Sequence, residues 1–566
     1  MATAQSAAIA RRVDKRLLSR GKAQGRAQGI FQAISMGLRH WGYSTDLYNW
    51  RLRGRHPLKV DRVLPDCRRG NAATARRFCD AFKANGNVLQ AATAYWDGAI
   101  DGFDPDHSFD LLLDLKALPD AGTARANATA LLTVWCDQYL TWDAKAWAPD
   151  ITAWRLINWL SSVELILGST DLIYRSRVLL AVARQMRHLP RVVGDIHDPM
   201  DKAAAGAALS LAGLCLPDAF LQKEKGFRLL AGIVGEAVLP DGSPRSRRFG
   251  EAVTLFTLLT LVRSAAKKAD VVLPDSLQQA MDKIAPYLRA CRFAGGTATS
   301  LFGGDRSLDP QLLDTLLDEA ETPGSAGFSF PYGGLQRLAA SGSVLLVDTG
   351  PSIRGSLSRA SAASSGAFEF SAGSEALIVS MGVSANPDLA PLCRTSAAFS
   401  NAVIDNRNST EIMPSGQMGA GVSLTETIRR AHKDGEEVTL IHDGYAKRLR
   451  LKQSRAIKLS RDGLVLTGVE QIELIKNALP TVPMNIWFHL HPDVSATLGV
   501  LKDHIVLTTK TNKKWMLAAT GGALSIEDSL FNASPDTPQA TKAVLLHADE
   551  ITLEKTGISW SLTRRE

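Results

Sequence analysis

Two pairs of polar residues stand at spacings that bring side chains together for anion binding or proton transfer. Arg155 and Asn158 lie three apart in a helical pattern, so they project from one face and could hold a carboxylate. His489 and His491 alternate in a strand-like run, so they face one side and could form a metal or sugar site. The structural alternatives are an interhelical hydrogen-bond pair for the first and a structural histidine pair for the second.

Two tyrosines and a histidine stand at predicted strand ends and junctions. His442 and Tyr445 flank Asp443-Gly444. Tyr445 could act as an acid or base if its pKa is lowered or its partner is close, and a packed turn tyrosine is the alternative. Tyr332 follows a proline and precedes two glycines, which is consistent with either a cleft residue or hinge packing.

Several large side chains have a structural and a functional interpretation. Glu369 lies between two phenylalanines, and we expect an ion-paired structural role for it, with Arg394 as the partner. Tryptophan rings stack on sugars but more often fill helical cores. The tryptophans concentrate in one helical region, and Trp159 is the one we assign to ligand binding: Trp96, Trp135, Trp142, Trp147, Trp154 and Trp159.

The composition is typical of a soluble globular protein. Of 566 residues, 45% are hydrophobic and 22% are charged, and this length predicts about two to four domains. No run approaches the roughly 20 apolar residues of a membrane span, so no transmembrane segment is predicted. The net charge of +8 favours anionic partners. Nucleic acid is not predicted, because no binding motif accompanies the charge. The oligomeric state is left open.

Residues 1–74 predict a basic N-terminal arm and lead-in. Ile9, Val13 and Leu17 recur at helical spacing among arginines and lysines, which indicates an amphipathic helix, either solvated or docked on a membrane surface or partner. No apolar segment follows these basic residues, so no secretory signal is predicted and the sequence alone indicates the cytoplasm. Six cysteines without a Cys-x-x-Cys pair predict buried free thiols: Cys67, Cys79, Cys136, Cys215, Cys291 and Cys393.

Hydrophobic periodicity divides the rest of the chain in two. Residues 75–321 form helix-length segments with apolar residues every three or four positions, which predicts an incomplete (α/α) toroid or stacked helical hairpins. Residues 322–329 are the predicted hinge. Residues 330–566 turn to short Val-, Ile- and Thr-rich segments, with hairpin signals at Asp434-Gly435 and Asp462-Gly463. The predicted fold class is α+β multidomain, with the helical toroid followed by an antiparallel β-sandwich.

Motifs along nearly the whole chain keep a common order and spacing. Examples are Arg155-Leu-Ile-Asn158-Trp159, Phe330-Pro331-Tyr332-Gly333-Gly334 and Phe488-His489-Leu490-His491-Pro492; the others are in segments 48–54, 344–350, 366–370, 394–400 and 442–445. In this order they resemble the heparinase II/III family of polysaccharide lyases. The resemblance implies a toroid followed by a β-sandwich, a place in the cell envelope or periplasm, and β-elimination on an acidic, uronate-containing polysaccharide.

That chemistry needs a group that neutralises the uronate carboxylate and groups that move protons. The resemblance implies catalytic roles for Asn158, Tyr445 and His489. It implies substrate-binding roles for five further residues: Arg155, Trp159, Tyr332, His442 and His491. The alternative hypothesis is a catalytically degraded glycan-binding or envelope-assembly protein on the same scaffold.

The chain departs from the family where that family usually carries histidine. Segment 361–366 has serines and alanines, Phe399 replaces a histidine, and a helical Asp-Gly-Gly-His segment becomes Asp241-Gly242-Ser243-Pro244. Phenylalanine can neither ligate a metal nor transfer a proton. The resemblance leaves zinc open, but its ligand positions are substituted, so we predict no metal and no cofactor.

Overall fold

A computed structural model describes the protein at residues 39, 41–217, 219–304, 309–475, 482–551 and 557–565. The predicted amphipathic helix of the N-terminal arm lies outside these residues. Internal contacts divide the chain into two compact units. The first comprises residues 1–63, 70–197 and 215–222, and the second comprises residues 64–69, 198–214 and 223–566.

The first unit is helical. Several of its helices begin at a side chain that accepts hydrogen bonds from the first turn, as Asn71, Asn87, Asp120 and Asp171 do. Its helices are α1 (Asp46–Arg51), α2 (Ala72–Ala84), α3 (Val88–Trp96), α4 (Leu111–Lys116), α5 (Ala121–Tyr139), α6 (Pro149–Ser161), α7 (Val163–Ile166) and α8 (Leu172–Val192).

Aromatic rings fill the interior of this unit. Trp135 and Trp159 meet edge to face with ring centroids 5.3 Å apart, and Phe109 meets Trp159 in the same way at 5.3 Å. Trp96 stacks on His107 at 5.0 Å. These tryptophans therefore stabilise the helical core, as the structural alternative predicts.

The second unit contains the remaining long helices and all the strands. Its helices are α9 (Pro199–Cys215), α10 (Phe220–Ala237), α11 (Phe249–Lys268), α12 (Asp275–Ala290), α13 (Pro310–Glu319) and the short α14 (Ala446–Leu449), with the division between units falling at the ends of α9 and α10. Among the described residues, α11 alone is long and apolar enough to cross a membrane, and 67% of its apolar window is buried inside the protein. That burial is typical of a core helix.

The strands form two antiparallel sheets, with the order β1-β2-β3-β4-β5-β11-β16-β15 in one, where β6 also pairs with β11, and β12-β13-β14-β17-β10-β9-β8-β7 in the other. The bounds are β1 (Ser329–Phe330), β2 (Leu335–Ala340), β3 (Ser343–Asp348), β4 (Phe368–Ala372), β5 (Glu375–Val379), β6 (Ala402–Ile404), β7 (Thr425–His432), β8 (Gly435–His442), β9 (Leu451–Ser460), β10 (Val465–Leu474), β11 (Val482–Leu490), β12 (Ser495–Leu498), β13 (His504–Thr508), β14 (Lys514–Thr520), β15 (Ala523–Asn532), β16 (Pro538–Ile551) and β17 (Gly557–Arg565).

The two sheets share one apolar core. Phe368 of the first sheet stacks on Trp560 of the second at 5.4 Å, and Phe370 meets Trp515 edge to face at 5.6 Å. Burial alternates along strands such as β9, where every second side chain is buried. This packing confirms the predicted antiparallel sandwich.

Both predicted hairpins form, but for different physical reasons. Gly463 adopts φ +71°, the positive value that its turn requires. Gly435 instead lies in β8 opposite Ser460, and a Cβ there would stand 2.1 Å from the carbonyl oxygen of Leu459. Glycine is therefore required at position 435 because the neighbouring strand approaches closely, and not because the backbone needs a positive φ.

Candidate functional site

The buried guanidinium of Arg155 makes hydrogen bonds to several groups within the first unit. Its Nε donates to Gln185 Oε1 at 2.8 Å, and Nη1 donates to the carbonyl oxygens of His107 at 2.9 Å and Ala146 at 2.6 Å. The guanidinium lies over the ring of Trp135 at 4.5 Å. Burial lowers the pKa of Arg155 to about 9. The side chain is 0% exposed, so these protein groups occupy its donors.

Asn158 lies one turn further along α6 and is also 0% exposed. Its Nδ2 donates to the carbonyl oxygen of Ser108 at 3.0 Å and to Asp110 Oδ1 at 2.6 Å. The predicted substrate-binding Trp159 is enclosed among the aromatic rings of the core. The shared helix face predicted for Arg155 and Asn158 thus points into the helical interior.

The ring of His489 is held in one orientation by its neighbours. Its Nε2 lies 2.8 Å from the carbonyl oxygen of Ala397, which can only accept, so the proton sits on Nε2. Nδ1 lies within hydrogen-bond distance of the Ser529 hydroxyl, at 2.7 Å. The ring is 0% exposed and stacks on Trp487 at 5.9 Å. Both ring nitrogens therefore have partners within the protein.

His491 and Tyr332 are the two predicted site residues that solvent reaches. His491 follows the end of β11, and 26% of its side chain is exposed. Its Nδ1 accepts from the backbone N–H of Asp493 at 3.2 Å. Tyr332 is 61% exposed, and its backbone N–H donates to Asp241 Oδ2 at 2.7 Å.

His442 and Tyr445 lie beside each other, with ring centroids 6.1 Å apart. Burial, followed by the charge of Arg455, lowers the pKa of His442 to about 4. Burial raises the pKa of Tyr445 to about 12, and its hydroxyl donates to the carbonyl oxygen of Arg407 at 3.2 Å. At neutral pH both groups are therefore uncharged, whereas a tyrosine base needs a lowered pKa.

The eight predicted residues divide between the units. Arg155, Asn158 and Trp159 belong to α6 of the first unit. In the second unit the structure brings His442 and Tyr445 together at the end of β8. His489 and His491 lie on and just after β11, and Tyr332 lies between β1 and β2.

A buried ion pair that sequence reasoning missed joins the helical and β parts of the second unit. Arg247 pairs with Asp348, and its Nε donates to the carbonyl oxygen of Gly333 at 2.6 Å. Asp348 also accepts from the hydroxyl of Ser364 at 2.7 Å and the N–H of Gly350 at 3.0 Å. The Asp348-Thr349-Gly350 sequence was the available signal, since a buried strand that ends in aspartate needs partners.

Glu369 is buried, and its carboxylate accepts hydrogen bonds from hydroxyl and backbone donors. It accepts from Thr299 Oγ1 at 2.6 Å, from the hydroxyl of Ser300 at 2.7 Å and from the N–H of Ser380 at 3.0 Å. The expected pairing with Arg394 is wrong, because that guanidinium donates to three backbone carbonyls instead. These hydroxyl and backbone donors compensate the buried carboxylate.

The described residues do not fit a zinc ion. In the described part of the chain, no three His, Cys, Asp or Glu side chains are grouped for metal binding. Phe399, at a family histidine position, is 1% exposed, and the nearby Ser365 donates to the carbonyl oxygen of Gly350 at 2.8 Å. The substituted positions are thus built into the packed interior. The six cysteines are free and buried, as predicted.

A cavity of 380 Å³ lies within the second unit. Two of its lining residues are hydrogen-bonded to each other, since Arg245 Nε donates to the carbonyl oxygen of Glu236 at 2.7 Å. None of the eight predicted site residues lines it. Its lining contains both apolar and polar residues: Pro199, Ile233, Gly235, Glu236, Ala237, Arg245, Ser246, Glu251 and Leu357.

Comparison with known proteins identifies the class. The family profile described as "Heparinase II/III-like, C-terminal" matches residues 322–561. The fold resembles that of heparinase III, with TM-score 0.67, 13% identity, and 94% of this chain and 91% of the other covered. It also resembles a mutant of heparan sulfate lyase HepC from Pedobacter heparinus, with TM-score 0.64, 12% identity, and 95% and 91% covered. At such identities the likeness shows the fold alone.

Residues 322–561 thus match the C-terminal domain of the heparinase II/III-like family, which supports the resemblance found in the sequence. The predicted fold class, a helical toroid followed by an antiparallel β-sandwich, is confirmed by the match to heparinase III. The chain is also similar to FtsZ-localized protein C of Caulobacter vibrioides, with 24% identity over 479 residues that cover 81% of each protein.

Proposed function

We propose that this chain is a noncatalytic assembly protein that localises with FtsZ and is built on a polysaccharide-lyase scaffold. The observation that carries the proposal is the burial of the predicted catalytic groups. Asn158, Tyr445 and His489 are each 0% exposed and hydrogen-bonded inside the protein. A group that transfers a proton to or from a substrate must come within hydrogen-bond reach of it.

The protonation states support this proposal. Tyr445, with a pKa raised to about 12 by burial, is a poor base at neutral pH. His442, with a pKa lowered to about 4 by burial, is a poor acid there. Groups tuned for acid–base catalysis have pKa values near the working pH, and these two are shifted away from it.

The similarity to FtsZ-localized protein C supports the proposed cellular role. It spans 81% of both chains, so it includes helical and β regions alike. We infer that this chain shares the localisation that the relative's name states. This role corresponds to the envelope-assembly alternative that the sequence raised.

The test is microscopy of a fluorescent fusion of the full chain in its own cells, with labelled FtsZ in a second colour. We expect the fusion to concentrate where FtsZ concentrates, and the fluorescent protein alone to spread evenly. A fusion that is stable on immunoblots yet distributed independently of FtsZ would exclude the proposed role.

A second candidate function is β-elimination on an acidic, uronate-containing polysaccharide in the cell envelope. The exposure of Tyr332 and His491 favours it, because both side chains can meet a ligand from solvent. In this candidate Asn158 neutralises the carboxylate, Tyr445 and His489 move protons, and the other predicted residues bind substrate: Arg155, Trp159, Tyr332, His442 and His491.

This candidate is tested by ultraviolet absorbance from unsaturated uronate ends after incubation with a panel of acidic glycans. A lyase would produce absorbance that His489→Ala abolishes. Absence of product from every glycan would remove this candidate, and binding of one glycan without product would leave a glycan-binding protein.

A further inference from the structure

One helix of the first unit carries positive charge without any acidic residue. Helix α8, Leu172–Val192, contains five arginines and no aspartate or glutamate. The segment 51–59 adds Arg51, Arg53, Arg55 and Lys59 and also contains no acid. A large part of the chain's excess positive charge therefore lies in two short stretches.

Contacts between α1 and α8 bring these stretches together. The Tyr48 hydroxyl lies 2.7 Å from His188 Nδ1, in the buried contact between the two helices. Arg187 Nη1 donates to the carbonyl oxygen of Leu52 at 2.9 Å, and its Nη2 donates to that of Arg55. The arginines that follow α1 thus lie beside those of α8.

Carboxylates neutralise only the periphery of this group. Arg177 pairs with Asp137, and Lys59 pairs with Asp61 at 3.2 Å. Within the described residues, no carboxylate lies within ion-pair distance of five of the seven remaining cations: Arg51, Arg53, Arg184, Arg187 and Arg191.

The arginines also act on one another. The pKa of Arg184 is lowered by burial and then by the charges of Arg53 and Arg187. The pKa of Arg187 is lowered by burial and then by the charge of Arg191. Like charges held together without counter-ions raise the free energy of the unliganded protein, and an anion would relieve that repulsion.

Large apolar side chains border the cations. Leu47 is 68% exposed and Trp50 is 63% exposed, and they lie three residues apart on the outer face of α1. Tyr48, between them, is buried against α8. We call this combined patch the arginine–tryptophan surface: Leu47, Trp50, Arg51, Arg53, Arg184, Arg187 and Arg191.

We propose that the arginine–tryptophan surface binds an acidic peptide segment of a partner protein that carries apolar side chains between its carboxylates. Guanidinium groups pair with carboxylates in a two-pronged geometry, and the bonds from Arg187 to backbone carbonyls hold one of them in place. Leu47 and Trp50 provide apolar contact for the peptide's own side chains. This inference deepens the proposed function. It rests on that function only in assuming that the chain has a protein partner.

The apolar part of the surface favours a peptide over other polyanions. Single-stranded nucleic acid needs aromatic rings for successive bases, and α1 offers one indole beside an aliphatic chain. A membrane-surface helix needs a long apolar face, and α1 has six residues. Oligonucleotides and anionic vesicles are therefore competitors in the test.

The probe is a fluorescent peptide in which glutamate alternates with leucine, titrated against the full chain by anisotropy. Arg51→Glu/Arg53→Glu reverses two exposed charges that make no described side-chain hydrogen bond. We expect it to weaken binding about tenfold or more. The matched control, Arg76→Glu/Arg359→Glu, reverses two exposed arginines elsewhere and should change affinity less than about twofold.

A companion peptide with serine in place of leucine separates charge from apolar contact. We expect it to bind several-fold more weakly, and Trp50→Ala to reduce affinity for the leucine peptide but not for the serine peptide. Circular dichroism and melting curves confirm that each variant is folded.

Three results would overturn the inference: no peptide binding, equal loss in the control double variant, or an oligonucleotide or anionic vesicle that binds as tightly as the peptide. The outcome is separable from the localisation experiment. Peptide binding without co-localisation would refute the FtsZ-linked role but support the arginine–tryptophan surface as a peptide-binding site. Co-localisation without peptide binding would support the FtsZ-linked role and refute the peptide-binding site.

Discussion

Two groups of charged residues in this protein differ in what compensates them. In the sandwich interior, Arg455 is 1% exposed and its Nε donates to Glu470 Oε1 at 2.6 Å. A further donor of the same guanidinium meets the carbonyl oxygen of Gly366 at 2.5 Å. On the arginine–tryptophan surface, exposed cations such as Arg51 and Arg53 have no described carboxylate partner.

The difference indicates where each region's chemistry is directed. Interior polar groups are matched by protein partners, so they fix strands and helices in place. Surface charges that lack such partners are left to solvent and ligands. The residues that sequence patterns nominated for catalysis fall mostly in the first group, and the surface we propose for binding belongs to the second.

The largest expected effect comes from breaking the interior pair. Glu470→Ala leaves the Arg455 charge buried without its partner and should lower the free energy of unfolding by about 3–5 kcal/mol. Glu473→Ala, on the same strand but exposed, should change it by less than about 0.5 kcal/mol. Urea unfolding curves measure both, and similar losses in the two variants would contradict the account.

One residue type can be compared in both regions. Trp159→Ala removes a ring that is 0% exposed and should destabilise the protein by about 3–5 kcal/mol. Trp50→Ala removes a ring that is 63% exposed and should cost less than about 0.5 kcal/mol. Thermal and urea unfolding report the difference, and a costly Trp50→Ala would place that ring in the core instead of on a binding surface.

A smaller effect on the free energy of unfolding is expected from the protonation of His442 at low pH. Burial lowers the pKa of His442 from 6.5 to about 4, so between these values the unfolded chain binds the extra proton. Stability from neutral His442 is full above pH 6.5 and falls as pH drops toward 4, by about 3 kcal/mol at most. His442→Asn should flatten this dependence in urea titrations, and an unchanged slope would refute the assignment.

The smallest effect concerns the surface cations. Arg51→Glu/Arg53→Glu removes like-charge repulsion and should leave the melting temperature unchanged or slightly raised at low salt, with the difference vanishing at high salt. A marked loss of stability would show that these arginines are structural instead of reserved for a ligand.

The sequence predicted the architecture well because periodicity is local. The change from helical to strand texture at 322–329 coincides with the first strand at Ser329, and the predicted hairpin at Asp434-Gly435 joins β7 to β8. Eight of the described strands were not individually predicted: β1, β2, β6, β7, β12, β15, β16 and β17. The turn at Asp434-Gly435 was predicted, but the reason for its glycine was not, since close contact with Leu459 comes from a neighbouring strand.

The predicted site was less accessible to sequence reasoning because burial depends on distant partners. His489 is enclosed by Ala397 and Ser529, which lie 92 and 40 residues away. Asn158 is hydrogen-bonded to Ser108 and Asp110, which lie 50 and 48 residues away along the chain. Spacing along one element shows which side chains share a face, but it does not show whether that face meets solvent or the interior.

The central claim is that the predicted acid–base groups are shielded from solvent, and histidine labelling by diethyl pyrocarbonate with mass-spectrometric mapping tests it most directly. In the native protein we predict modification of the part-exposed His432 and His547, and protection of His442 and His489. Labelling of His442 and His489 at the rate of His432, with the fold intact, would show that a substrate can reach them and would contradict the account.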